Sequence, residues 1–459
     1  MSDLSYAEVS AKLQARWPET KMDPSLDRIR RLVELLGDPQ KTYPVVHLTG
    51  TNGKTSTARM VDSLLREAGL RTGRFTSPHL ESVRERITLN GDPIDEQRFV
   101  EVYTEIVPYV DVVDNEFEHP LSFFEVMVAM AYAAFADAPV DVAVVEVGLG
   151  GAWDATNVAD GIVSVITPVA VDHAHILGAD PVTIAGEKAG IIKPGGTAVI
   201  SQQSLDVLEV LQRRANEVGA QVAREGLEFG VTSRTVAVGG QLISVQGLGG
   251  TYEEIFLPLY GEYQAHNAAT ALAAVEALLG ATAQTEGRID NELVQAGFAE
   301  VTSPGRLEVV RTSPTVIVDA AHNPHGAEAT AAAVTEAFAF NPLIGVLGCM
   351  KDKDVYAILE AYEPIMETVV CTRNSFVDRS MPAEELGELA AEVFGEDRVL
   401  VRPKLLDAID DAIRLAEENA IAMGTGGVLI TGSVITAGEA RTLLVRKPKG
   451  AQNPYGEQQ

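Results

Sequence analysis

Apolar residues recur along this chain at two alternating periods. Leu26, Ile29, Leu32, Val33 and Leu36 fall three and four apart, which predicts a helix begun at Asp23-Pro24-Ser25 and stopped at Gly37. Residues 1–40 read as helical throughout. From Val45 to about Val199, short runs of Val and Ile alternate with helical stretches. The runs at 45–48, 142–147, 162–167 and 198–201 predict strands buried on both faces, as in a parallel sheet. Connections of this length imply right-handed crossovers. Residues 225–260 differ: apolar runs at 236–238, 242–245 and 254–257 are separated by Gly239-Gly240 and by residues 247–250, which predicts an antiparallel accessory region. His266-Asn267 then opens an Ala/Leu-rich helix that stops at Gly280.

Ser303-Pro304-Gly305-Arg306 is the predicted domain boundary. Beyond it strands are expected at 316–319, 343–347, 369–371, 399–401 and 428–431, with helices between. The expected organisation is a first domain over 1–303, a linker over 304–312 and a smaller α/β domain over 313–459. Residues 448–459 read as a disordered tail.

The chain has 36 basic and 65 acidic residues, a formal charge of −29. Such a field disfavours nucleic acid and anionic membranes as partners. It also opposes any polyanionic ligand, so a site for one must concentrate cations or use metal ions. Aromatic content is 6%, while Ala, Val and Gly are abundant, which suits thin α/β layers. Cys349 and Cys371 lie in apolar runs and read as buried thiols of a reducing compartment. No signal peptide is expected, and the longest apolar run, 126–136, is too short to span a bilayer. A cytoplasmic location follows as an expectation.

The first predicted strand runs into Gly50-Thr51-Asn52-Gly53-Lys54-Thr55-Ser56, followed by a helical run over 57–68. A strand, a glycine turn and a helix start make an anion cradle. Lys54 adds a full positive charge, and Thr55 places a hydroxyl where a phosphate-bound Mg²⁺ sits. The motif predicts a nucleoside-triphosphate site, although Leu48 occupies the position of the first glycine in the commoner spacing. Glu146, ahead of Gly148, Gly150 and Gly151, ends one buried strand, and Asp172-His173 follows another. In a parallel sheet such strand ends face one edge. Glu146 is an apt Mg²⁺ ligand. His173, judged by its chemistry alone, reads as structural rather than as a metal ligand. Ser77 could offer a further hydroxyl, and Arg84 and Arg86 could hold a substrate carboxylate or face solvent. Asp319, His322 and Asn323 follow a strand of the second domain, where Asn323-Pro324 also reads as a helix cap.

These residues resemble, in order and over nearly the whole chain, the bacterial folylpolyglutamate synthases, including the bifunctional dihydrofolate synthase form, of the Mur ligase superfamily. The resemblance rests on residues 50–55, 76–80, 124–125, 146–157, 172–173, 187–190, 266–269, 304–306 and 319–325. It implies a P-loop-type, mostly parallel sheet domain with an antiparallel accessory region, plus a smaller Rossmann-like α/β C-terminal domain. It implies ATP as cofactor, bound by residues 50–56 with Asn267, Arg306 and Asp319. It also implies Mg²⁺ at two sites, with Ser77, Glu146 and His173 as ligands, and it raises K⁺ and a carbamylated Lys188. Asp319, His322 and Ser433 resemble the glutamate site. Asp23, Pro24, Ser25, Ser122, Phe123, Phe124, Glu125, Trp153, Asp154 and Ala155 resemble dihydropteroate or folate contacts. Trp153 departs from the aliphatic residue expected there.

Lys54, Lys188, Arg306 and His322 are the implied catalytic residues. The implied partners are dihydropteroate, folates, L-glutamate and ATP, with the protein a monomer. The implied reaction is amide formation through an acyl phosphate, with Arg306 carried to the phosphates by domain closure. The alternatives are folylpolyglutamate synthase activity alone, a cell-wall ligase acting on a UDP-linked sugar, or a P-loop kinase or regulatory module. The cell-wall ligase would need a uridine-nucleotide domain ahead of residue 50, for which no room is expected.

Overall fold

In the computed structural model, which describes residues 4–18, 23–280, 289–420 and 425–445, the β-branched runs form strands buried on both faces. The chain divides into two units, Met1–Ser303 and Pro304–Gln459. The first is built on eight strands: β1 (Val45–Thr49), β2 (Thr72–Phe75), β3 (Ile87–Leu89), β4 (Asp92–Pro93), β5 (Val142–Glu146), β6 (Val163–Ile166), β7 (Thr197–Ile200) and β8 (Gln221–Arg224). Their order is β4-β3-β2-β5-β1-β6-β7-β8. From β2 to β8 all neighbours are parallel; only β3 and β4 run antiparallel at the edge.

Alternate residues of each central strand feed different cores, as a two-residue period requires. Val45, Ala143 and Val145 pack with the helix Phe123–Asp137. Val46, Leu48, Val142 and Val144 pack with Lys54–Glu67 and Glu262–Leu279. The latter helix begins at Glu262, four residues before the expected start, with Gly261 at its N-cap. Likewise Lys54 already belongs to its helix, capped by Gly53.

The accessory region forms a three-stranded antiparallel sheet, β9 (Gly230–Ala237), β10 (Gly240–Gln246) and β11 (Thr251–Leu257), in the order β11-β10-β9. Its loop is anchored by buried Glu276, which accepts from Leu248 N at 2.6 Å, Gly249 N at 2.9 Å and the Tyr252 hydroxyl at 2.7 Å.

The second unit has a six-stranded sheet: β12 (Glu308–Thr312), β13 (Thr315–Val318), β14 (Leu343–Leu347), β15 (Thr368–Arg373), β16 (Val399–Lys404) and β17 (Gly427–Thr431). The order is β12-β13-β17-β14-β15-β16, with only β12 antiparallel. β12 corrects the expected linker over 304–312. A half-buried edge strand carries no continuous apolar run and so reads as loop. The expected tail over 448–459 lies outside the described residues. Cys349 and Cys371 are buried free thiols, and burial pushes each up to about 12. Among the described residues no helix is long and apolar enough to cross a membrane.

Asp62 fastens the Lys54–Glu67 helix to β2. Fully buried, it accepts from Arg74 Nη1 at 2.7 Å, the Thr72 hydroxyl at 2.6 Å and Arg66 Nε at 3.3 Å. Removing one member of a buried pair strands the other's charge. Asp62→Ala is therefore expected to lower unfolding free energy by about 3–5 kcal/mol. Chemical denaturation checks this, and a loss below about 1 kcal/mol, the value of an exposed pair, would contradict it.

Candidate active site

The turn after β1 leaves no room for a side chain at either of its glycines. At Gly50, φ is 148°, and an added Cβ would lie 1.9 Å from Thr167 Oγ1, just past the end of β6. Thr51 N donates to Pro168 O at 2.9 Å, and the Thr51 hydroxyl donates to Ala170 O at 2.8 Å. The Thr49 hydroxyl donates to Gly150 O at 2.7 Å, tying in the loop after β5. Gly53, at φ 88°, starts the following helix; an added Cβ there would lie 2.6 Å from Asn267 Oδ1.

Two lysines converge on this turn. Lys54 Nζ donates to Gly50 O at 3.1 Å and Thr51 O at 3.2 Å. Lys188, buried at the end of the helix Pro181–Lys188, donates to the same Gly50 carbonyl at 2.8 Å. Burial first, and then the Lys54 charge, pushes the Lys188 ammonium down to about 7. The turn thus holds one full cation and one amine that is easily neutralised.

Glu146, 1% exposed at the end of β5, accepts from the Thr55 hydroxyl at 2.9 and 3.0 Å and from Ser77 N at 3.4 Å. Carboxylate and hydroxyl oxygens at a phosphate turn are the donors a hard divalent cation takes. His173 follows β6 in a left-handed conformation, φ 50°. Its backbone N–H donates to Asp172 Oδ1 at 2.7 Å, and its ring centroid lies 6.3 Å from that of His175. The structure brings Thr55, Ser77 and Glu146 together directly. Among the described residues no cluster of three His, Cys, Asp or Glu side chains is poised for a metal.

The residues expected near the pterin divide into two kinds. Phe124 is half-buried, with its ring centroid 5.8 Å from that of Phe75 and its Cζ 2.5 Å from where a Gly148 Cβ would stand. Trp153 is also half-buried, and its backbone N–H donates to Glu187 Oε1 at 3.2 Å. Phe123 lies under the Arg86 guanidinium, 4.9 Å from ring centroid to Cζ. Asp23 and Pro24 are exposed, and Ser25 Oγ accepts from Asp27 N at 3.0 Å.

Others are committed inward. Ser122 and Glu125 form the capping box of their helix, with Ser122 N donating to Glu125 Oε2 at 2.8 Å and Glu125 N to Ser122 Oγ at 3.1 Å. Asp154 is buried beside Ala155. It accepts from Leu149 N at 3.0 Å, Thr156 N at 2.9 Å and the Thr156 hydroxyl, while burial pushes its carboxyl up to about 6. It shapes the loop from inside.

Arg28 was not foreseen. Its Nε donates to Glu125 Oε1 at 3.1 Å and its Nη1 to Asp23 Oδ2 at 2.5 Å, so it joins two of the expected segments. The two candidate arginines also find partners inside the protein: Arg84 Nη1 donates to Ile94 O at 3.0 Å, and Arg86 Nε to His79 Nδ1 at 3.0 Å.

In the second unit Asp319 is buried. It accepts from Leu307 N at 2.9 Å, Ala321 N at 2.9 Å and the Thr330 hydroxyl at 3.0 Å. It thereby fixes the turn that carries half-buried Arg306. His322 Nδ1 donates to Ala320 O at 2.9 Å. Asn323 caps the helix Pro324–Ala337, accepting from Gly326 N at 2.8 Å. Ser433 caps Val434–Leu444, accepting from Thr436 N at 3.0 Å and Asn374 Nδ2 at 3.2 Å.

Residues 48–275 match the Mur ligase middle domain, and residues 305–434 match the Mur ligase, glutamate ligase domain. A dihydrofolate synthase/folylpolyglutamate synthase of Mycobacterium tuberculosis is 52% identical, across 97% of this chain and 95% of the relative. A solved structure of Mycobacterium tuberculosis folylpolyglutamate synthase complexed with ADP and AMPPCP superposes with a TM-score of 0.91 at 51% identity, covering 97% of this chain and 99% of that one. Escherichia coli FolC in complex with DHPP and ADP superposes with a TM-score of 0.82 at 30% identity, covering 96% and 97%. The chain belongs to the dihydrofolate synthase/folylpolyglutamate synthase family of Mur ligases.

A side chain at position 53 must both strain the backbone and displace the Asn267 amide. Gly53→Ala is expected to raise the KM for ATP at least about tenfold while the protein stays folded. Steady-state kinetics beside a thermal melt checks this; an unchanged KM would contradict the geometry.

Proposed function

We propose that the protein joins the amine of L-glutamate to the carboxyl of dihydropteroate, and to the γ-carboxyl of (poly)glutamyl tetrahydrofolate, with ATP cleaved to ADP and phosphate. It is an ATP-dependent acid–amino-acid ligase by its family. The observation that most supports this reading is the convergence of Lys54 and Lys188 on the Gly50 carbonyl, on the same turn that carries the Thr55–Glu146 pair.

The substrate carboxylate attacks the γ-phosphorus and forms an acyl phosphate, with ADP leaving. The glutamate amine then attacks the acyl carbon, and the tetrahedral adduct collapses as phosphate departs. The first step needs positioning and charge neutralisation more than covalent help. Lys54 gives up its loop carbonyls and takes the phosphates instead. Glu146, the Thr55 and Ser77 hydroxyls and His173 would hold Mg²⁺, which when bound neutralises phosphate charge.

Lys188, whose amine neutralises readily, attacks CO₂ through its lone pair and loses a proton, becoming a carbamate. Arg306, on the turn that Asp319 holds, and His322, whose Nδ1 donates to Ala320 O, are the residues the family resemblance points to for a further positive charge and for glutamate. Phe124 and Trp153 offer half-buried aromatic faces to the pterin ring.

ADP release is measured with dihydropteroate, with a reduced folate, and with glutamate or acceptor omitted. Release is expected only with acceptor and glutamate both present. Release without glutamate, or none at all, would favour a kinase or a binding module. Lys54→Ala is expected to cut that release at least about a hundredfold, and activity within a few-fold of wild type would refute the cradle.

Carbamate on Lys188 requires the neutral amine, whose fraction rises as pH climbs through about 7. At fixed dissolved ¹³CO₂, a carbamate resonance is expected to grow from pH 6 to pH 8 and to be missing in Lys188→Arg. Its absence from the wild type at pH 8 would contradict this assignment.

A further inference from the structure

Ser303, the last residue of the first unit, is held from inside that unit. Its hydroxyl lies 3.0 Å from Ser56 Oγ, in the first turn of the Lys54–Glu67 helix. Gln264 Nε2 donates to the same Ser56 Oγ at 3.3 Å, and Gln264 Oε1 accepts from Asn267 Nδ2 at 3.1 Å. All four side chains are buried. With its Nδ2 engaged by Gln264, Asn267 turns Oδ1 toward Gly53. One hydroxyl–amide chain therefore runs from the phosphate turn to the unit's last residue.

Past Ser303 the backbone is held just as firmly by the second unit. Ala320 N donates to Gly305 O at 2.8 Å, Gly305 N to Glu308 Oε2 at 2.8 Å and Leu307 N to Asp319 Oδ2 at 2.9 Å. Gly305 and Leu307 both sit in the left-handed region, at φ 67° and 45°. Pro304 stands between the two anchored stretches, and its ring fixes its own φ. Rotational freedom is thereby concentrated in ψ of Ser303 and ψ of Pro304, as at a hinge of few residues.

We propose that Gln264 and Ser303 are positioning residues for the ligase reaction. Through Ser56 they link the nucleotide-binding turn to the Ser303–Pro304 pivot, so the path of the chain at its exit depends on what the turn holds. Ser303 acts through Ser56, and Gln264 through Ser56 and Asn267. The proposal rests on the ligase reading only in taking nucleotide at the Gly50–Thr55 turn.

The test uses the full-length enzyme and the variants Ser303→Ala, Gln264→Leu and their combination. Hydrogen–deuterium exchange of residues 301–308 is followed with and without Mg²⁺ and ADP. ADP is expected to change exchange there in the wild type and not in Ser303→Ala. The same ADP response in both proteins, or none in the wild type, would overturn the proposal.

In turnover, each single variant is expected to lose about fivefold in kcat, and in Ser303→Ala, which leaves the Gln264–Asn267 bond in place, the KM for ATP is expected to stay within about twofold. The combined variant should lose no more than the worse single one, because both act through Ser56. Losses that multiply, or that track a lowered melting temperature, would mark a merely structural role. A wild type that binds ADP but releases none from ATP counts against the ligase reading instead, and the exchange measurement still decides this one.

Discussion

The contact between Gly50 and Thr167 is the constraint on which the rest of the site depends. With no Cβ at residue 50, the end of β1 lies against the segment after β6, and the turn exposes its carbonyl to two lysines. A side chain of any kind at that position would push the two strand ends apart. The hydroxyl of Thr49 and the carboxylate of Glu146 then draw the β5 loop to the same rim. Parallel neighbours in the order β2-β5-β1-β6 make this possible, because their carboxyl ends share one edge.

That rim works against the charge of the whole molecule. At −29, the long-range field repels a triphosphate. Screening leaves only the near field, about 8 Å at physiological salt, to decide binding. Within that range stand Lys54, the backbone N–H groups of the turn and the start of the helix Lys54–Glu67. Lys188 is tuned differently. A second fixed ammonium 2.8 Å from the same carbonyl would be costly in a buried position, and its lowered affinity for a proton reflects that cost.

Much of this was readable before any coordinates. Runs without polar alternation gave the central strands of both sheets, since burial on both faces leaves no polar positions. The Gly50–Ser56 turn was readable because glycine, lysine and hydroxyl each have a separate physical job there. β12 was not, because an edge strand with half-buried residues carries no such signature. Nor was the inward turn of Asp154: a sequence shows that a carboxylate is present but not whether it faces a ligand or its own backbone. Arg28 escaped because the pattern its helix carries is the apolar stripe of Ile29, Leu32 and Val33. Its partner Glu125 lies 97 residues away, and pairing at that distance leaves no local pattern. Gln264 escaped for the same reason: its partner Ser56 lies 208 residues away.

A crystal structure with a non-hydrolysable ATP analogue and Mg²⁺ measures the central claim most directly. The phosphates are expected over residues 50–55, with Lys54 Nζ withdrawn from the Gly50 and Thr51 carbonyls and bonded to phosphate oxygen. Phosphates bound elsewhere, or a Lys54 still donating to both carbonyls beside a bound nucleotide, would contradict it.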